Sequence, residues 1–148
     1  DISPLLADGA AFDRVIRGLA KSVHDEADVV AGIEARGFLV AGALACQLGC
    51  GLVPVRKAGK LPPPTLQRSY DLEYGSAEIE VPDGLLAGKR VVIVDDVLAT
   101  GGTMRAAADL LTKAGASVVA LAVIVELSFL NGRAVLAGLP ELKALLTI

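Results

Sequence analysis

The sequence predicts an α/β fold: a parallel sheet flanked by helices, with a flexible hairpin projecting from it. Three observations predict it. The second half reads as strand, helix, strand, with a β-branched run over 90–94, an Ala- and Leu-faced helix over 103–113 stopped at Gly115, and an apolar run over 118–125. That order is a right-handed crossover in a parallel sheet. The first half repeats it, with the apolar run Val29-Val-Ala-Gly-Ile33, a helix over 37–47 and a second strand over 52–56. Between the halves, 57–82 is polar and rich in breakers, which marks an excursion rather than core. At 148 residues the chain is expected to form one domain, 1–148.

Taken in order, Phe12, Val15, Ile16, Leu19 and Val23 form the stripe of a helix over 10–25. His24, the only histidine, reads as a solvated residue at its end. Residues 37–55 carry no charge, which nominally reaches the length of a membrane span. Four glycines, Pro54 and Gln47 argue instead for helix, turn and buried strand, so no membrane contact is expected. Cys46 and Cys50 are the only cysteines. With no further ligands nearby they read as buried thiols in a reducing cytoplasm, four apart on one helix face. No secretory signal pattern is visible, and the expected location is cytoplasmic.

Residues 57–64 form a loop with three consecutive prolines. Residues 70–74 and 77–81 alternate as an antiparallel pair around Gly75, and 85–88 close the excursion. A last short helix is expected over 132–138, followed by an apolar tail.

A net charge of −3 gives no global basic field for nucleic acid, and three Phe, two Tyr and no Trp give no stacking platform for bases. Any polyanion site must be local. One candidate stands out in Val91-Val-Ile-Val-Asp95-Asp96-Val-Leu-Ala-Thr100-Gly101-Gly102-Thr103. Two adjacent carboxylates at the carboxyl end of a parallel strand repel each other, and their natural partners are hydroxyls, a divalent cation, or both. Thr100-Gly-Gly-Thr then opens a helix, where unobstructed N–H groups, the helix dipole and two hydroxyls suit a phosphate monoester. The bland alternative is an N-capped helix after an acidic turn. No Walker loop and no dinucleotide-binding glycine pattern is present.

This run resembles the 5-phosphoribosyl-1-pyrophosphate (PRPP) signature of the type I phosphoribosyltransferases. Further segments resemble the adenine-specific group within that family: Asp1-Ile-Ser-Pro-Leu-Leu, Glu34-Ala-Arg36-Gly37-Phe38, Arg56-Lys57-Ala-Gly-Lys60-Leu-Pro, Ser69-Tyr70-Asp-Leu-Glu73-Tyr74-Gly75 and Val125-Glu126-Leu127. The resemblance implies a type I phosphoribosyltransferase-like fold that converts adenine and PRPP to AMP and pyrophosphate with Mg²⁺, as a homodimer.

It further implies that Asp95, Asp96, Ala99, Thr100, Gly101, Gly102 and Thr103 hold the ribose and 5′-phosphate, with Mg²⁺ carried by PRPP near Asp95 or Asp96 and no direct protein metal site. Pyrophosphate would meet Arg36, Gly37, Arg56, Lys57 and Lys60, with a strained backbone beside Gly37 and Arg56 reaching a neighbouring subunit's site. Leu98 and Leu127 would be apolar walls for the base. Glu73 and Tyr74 would lie in a mobile lid spanning 57–82, with Glu73 handling a proton on adenine. On residue type alone, Arg36 is equally a surface arginine, the cationic cluster a solvated turn, and Glu73 and Tyr74 exposed strand residues. Family members also carry a segment ahead of Asp1-Ile-Ser-Pro that helps form a hood over the base, so a reduced or missing hood is expected here. Two other readings share the signature: a PRPP-binding regulatory module without turnover, and a phosphoribosyltransferase for another purine.

Overall fold

The computed structural model describes residues 1–23, 27–71 and 75–148. A seven-stranded sheet runs in the order β3-β4-β2-β1-β5-β6-β7. Its strands are β1 (Val29–Ile33), β2 (Gly51–Lys57), β3 (Thr65–Asp71), β4 (Ser76–Pro82), β5 (Arg90–Leu98), β6 (Ser117–Glu126) and β7 (Leu142–Thr147). Five of them, β2, β1, β5, β6 and β7, pair in parallel. The hairpin β3–β4 joins antiparallel through β4 onto the end of β2.

The central strand β5 shows why its sequence is apolar without alternation. Val91 and Ile93 pack with α4 (Gly102–Lys113) residues such as Leu110 and Leu111. Val92 and Val94 pack on the other face with Leu19 of α2 (Gly9–Ser22) and Leu44 of α3 (Arg36–Leu48). A strand covered on both faces has no solvent side, so each position from Val91 to Val94 is apolar. The short α1 (Ser3–Ala7) precedes α2, whose N-cap Asp8 accepts a hydrogen bond from the Ala11 N–H.

Several expectations change. Strand β7 was not foreseen; the apolar tail pairs in parallel with β6 instead of trailing. The expected last helix is a 3₁₀ turn (Ser128–Leu130) followed by the single turn α5 (Gly132–Val135). The expected 10–25 helix starts at Gly9 and is described to Ser22, and His24 lies outside the described residues.

The cysteines are not buried as expected: Cys46 is exposed and Cys50 half-buried. The buried stripe of α3 recurs at Gly37, Val40, Ala41, Leu44 and Ala45, which turns position 46 outward. Cys50 lies beyond the left-handed C-cap Gly49, so helical four-residue spacing does not carry it beside Cys46. No described helix is long and apolar enough to cross a membrane.

Candidate active site

At the carboxyl ends of the parallel strands Arg36, Asp95, Asp96, Leu127 and the loop from Ala99 to Thr103 lie close together. β5 runs to Leu98, so Asp95 and Asp96 are in the strand rather than after it. Asp95 Oδ1 accepts the Asp96 N–H at 2.8 Å. Burial, and then the neighbouring Asp96 carboxyl, push Asp95 well above the usual carboxylate range. Asp96 is only 5% exposed, and its Oδ2 lies 2.9 Å from Arg36 Nε. That oxygen nonetheless has no hydrogen-bond partner among the described residues, so the pair is close without an aligned N–H. A buried carboxylate oxygen in that condition is costly to keep and suits an incoming hydroxyl or cation.

Arg36 opens α3 rather than sitting in the preceding loop, and the Glu34–Ala35 peptide before it is cis. Gly37 allows the helix to press onto β5: a Cβ there would lie 2.9 Å from Asp95 Oδ1 and 3.0 Å from the Val94 carbonyl. The first turn of α3 and the two aspartates are thereby held as one unit.

The Thr-Gly-Gly-Thr loop begins α4 as expected from its glycines. Gly101 is left-handed (φ 85°), and a Cβ on it would fall 2.5 Å from the Gly132 carbonyl oxygen. Gly132 in turn packs against the Ala99 carbonyl so closely that a Cβ there would collide. Among the described residues, a Cβ at Gly102 would meet only the Asp71 carbonyl, 3.9 Å away. The N-cap of α4 is Gly101, so neither threonine acts as the N-cap, and among the described residues no side-chain cap bond meets the first-turn N–H groups. Asp95, Val97, Leu98, Ala99, Thr100, Gly101, Thr103 and Met104 line a small cavity of about 90 Å³ at this point. The Thr103 hydroxyl lies 3.2 Å from that of Tyr70 on β3.

A larger cleft of about 690 Å³ opens beside it, lined by the polar Arg36, Asp95 and Asp96 and by the apolar Val97, Val125 and Leu127 among others. Leu127 is therefore on the cleft wall. Leu98 is not: at 2% exposure it packs in the core and beside Gly132, and Val97 takes the wall position expected for it.

Arg56 lies in β2 as the strand over 52–56 implies, and Lys57, expected on the loop, is the last residue of that strand. The Arg56 guanidinium lies 3.4 Å from Glu34 Oε2, donates to the Lys60 carbonyl at 3.4 Å and stands 5.7 Å over the Phe38 ring. Lys57 and Lys60 are exposed. Glu73 and Tyr74 lie outside the described residues.

Sequence reasoning missed several supports of this site. Glu126, 5% exposed, receives Arg133 through two bonds of 2.7 Å, while Arg133 also donates to the Leu142 carbonyl. The guanidinium hydrogen bonds hold the Glu126 carboxyl below its usual range and tie β6, β7 and the segment carrying Leu127 together. Glu80 and Glu34 were missed as well, since Glu80 bonds to loop backbone and Glu34 to the backbone at the end of β2, and such bonds leave no side-chain pattern in the sequence.

The family model for the phosphoribosyl transferase domain matches residues 5–133. The chain belongs to this family. An adenine phosphoribosyltransferase of Streptomyces avermitilis is 56% identical over 100% of this chain and 84% of its own length. The crystal structure of adenine phosphoribosyltransferase from Thermoanaerobacter pseudethanolicus superposes with a TM-score of 0.96 at 47% identity, covering 100% of this chain and 87% of that one. The Giardia lamblia enzyme, crystallised with 9-deazaadenine, gives 0.94 at 36% identity over 100% and 85%. The type I phosphoribosyltransferase architecture expected from the sequence is the one observed: a parallel sheet flanked by helices, with its signature loop at the carboxyl ends of the strands.

Proposed function

We propose that this chain transfers the 5-phosphoribosyl group from PRPP to adenine, giving AMP and pyrophosphate, in purine salvage. The observation that carries the reading is the junction of the Asp95–Asp96 pair with an uncapped, glycine-lined helix start, in a chain similar throughout to adenine phosphoribosyltransferases. The 5′-phosphate binds Ala99, Thr100, Gly101, Gly102 and Thr103, an unreacting handle whose binding energy orients the sugar. Asp95 and Asp96 receive the ribose hydroxyls. Arg36, the Gly37 amide, Lys57 and Lys60, with Arg56 beside them, receive pyrophosphate.

Adenine N9 forms the new bond to the ribose anomeric carbon as the bond to pyrophosphate oxygen breaks. The electron pair leaves with pyrophosphate, and the N9 proton passes toward Glu73. The barrier is mainly charge separation, and each well-placed cationic group lowers it by about 2.7–4 kcal/mol. Leu127, Val97 and Val125 give the base its apolar wall.

No cluster of three acidic, histidine or cysteine side chains able to cage a metal occurs among the described residues. Asp96 Oδ2, which lacks a hydrogen-bond donor among the described residues, and adjacent Asp95 fit an ion delivered with PRPP. Mg²⁺ held there would neutralise phosphate charge as the leaving group departs. The reading includes a cytoplasmic homodimer, with the hairpin region closing over the site to exclude water.

The test is purified protein with PRPP and Mg²⁺, offered adenine, hypoxanthine and guanine in turn while nucleotide formation is followed. AMP from adenine supports the reading; PRPP binding without nucleotide formation favours a regulatory module, and IMP or GMP another purine enzyme. Glu73→Gln is expected to lower kcat and leave PRPP affinity in place.

A further inference from the structure

We infer that Glu80 is a positioning residue for the pyrophosphate end of the site, acting by fixing the backbone of the basic loop at residues 57–61. The inference rests on the functional reading above.

Glu80 lies on β4 and is 1% exposed. Its Oε1 accepts both the Lys60 and Leu61 N–H groups at 2.7 Å, and its Oε2 accepts Gln67 Nε2 at 3.2 Å. Glu34 grips the other end, its Oε2 accepting the Lys57 N–H at 2.8 Å. Burial by itself would raise the Glu80 pKa, but the loop amides and Gln67 outweigh it and hold the carboxyl down to about 2. It is therefore an anion throughout any working pH range.

Burying a charged carboxylate is expensive, and a strand needs none at this position. What the charge achieves is specific. Glu80 bonds to loop amides and Glu34 to the amide at the strand end where the loop begins, and neither meets a lysine ammonium; Lys57 and Lys60 form no ion pair among the described residues and stay exposed. The loop is thus given a fixed backbone while its lysines are left for an anionic ligand. A loop amide bonded to a charged acceptor is held more firmly than one bonded to water. Pre-ordering of this kind lowers the entropic cost of ligand binding.

The experiment compares wild type, Glu80→Gln, Lys60→Ala and the double variant. Glu80→Gln is expected to raise the KM for PRPP about tenfold while the KM for adenine stays within about twofold. In the Lys60→Ala background the same change should have a much smaller effect, because both act on one group. An unchanged PRPP KM, equal shifts for both substrates, or fully additive losses would overturn the inference.

Amide hydrogen exchange gives a second readout that needs no turnover. Lys60 and Leu61 should be protected in wild type, and free-loop exchange at both would equally overturn it. Wild type inactive with every purine would defeat the reaction reading alone, and the exchange measurement would still decide the role of Glu80.

Discussion

Arg36 Nε lies 2.9 Å from Asp96 Oδ2, so the arginine proposed for pyrophosphate and a carboxylate proposed for ribose touch each other. They belong to the start of α3 and the end of β5, which Gly37 allows to approach. On the proposed reading, the pyrophosphate group and the ribose that carries it would be met by groups with one shared geometry. Arg36→Lys keeps the charge but loses the planar fork that can face a carboxylate and a phosphate together. It should lower kcat/KM for PRPP by about a hundredfold with little change in melting temperature. A lysine variant with full activity would reduce Arg36 to a surface charge.

Asp95 gives a prediction about stability and pH. Its folded-state pKa is raised from 3.8 to about 8, by burial first and by Asp96 after that. A raised pKa contributes stability that is complete below the unfolded value and lost as pH rises through the folded one. The protein without ligand should therefore lose stability between about pH 4 and pH 8 through this group. Asp95→Asn keeps the oxygen that accepts the Asp96 N–H. It should melt higher than wild type at pH 8, with a smaller advantage at pH 5, while turnover falls by orders of magnitude. A variant that melts lower at both pH values, or one that turns over normally, would contradict the assignment.

The parts legible in the sequence were those whose signals are local. The β5 run, its two acids and the Thr-Gly-Gly-Thr helix start lie within Val91 to Thr103, and each needs only nearest neighbours to be read. Strand β7 was not legible because Leu142 is its only fully buried residue and its pairing partner β6 is distant in the chain. Glu80 was not legible for a related reason. Alternation alone places it on the solvent side of β4, and its burial comes from a loop 20 residues away whose backbone amides leave no side-chain trace. Leu98 shows the reverse case: resemblance marks it as a base wall, and in the fold it is buried, packing beside Gly132 while also lining the small cavity.

The two glycines of the cradle should respond differently. At Gly102 the nearest described atom to an added Cβ is 3.9 Å away, and the residue starts α4. Gly102→Val should fold, melt near wild type and lose AMP and PRPP binding, because its methyls fill the phosphate position. Gly101 is left-handed and would drive a Cβ into the Gly132 carbonyl. Gly101→Ala should lower the melting temperature as well as binding. Calorimetry showing intact AMP binding to Gly102→Val would remove the loop from the phosphate site.

Tyr70 links the hairpin to that same site, its hydroxyl 3.2 Å from Thr103 Oγ1. Two residues earlier, Arg68 Nη2 reaches Asp109 Oδ2 at 2.8 Å, so β3 is fastened along α4 at two points. Tyr70→Phe keeps the ring and removes one neutral hydrogen bond, worth about 0.5–1.5 kcal/mol. If the hydroxyl orients Thr103 toward phosphate, the Kd for AMP should rise about two- to tenfold. Arg68→Ala loosens the same hairpin without touching the cradle and should leave AMP affinity unchanged. Equal losses in the two variants would assign the effect to hairpin docking; a loss confined to Tyr70→Phe would place the tyrosine hydroxyl in the phosphate network.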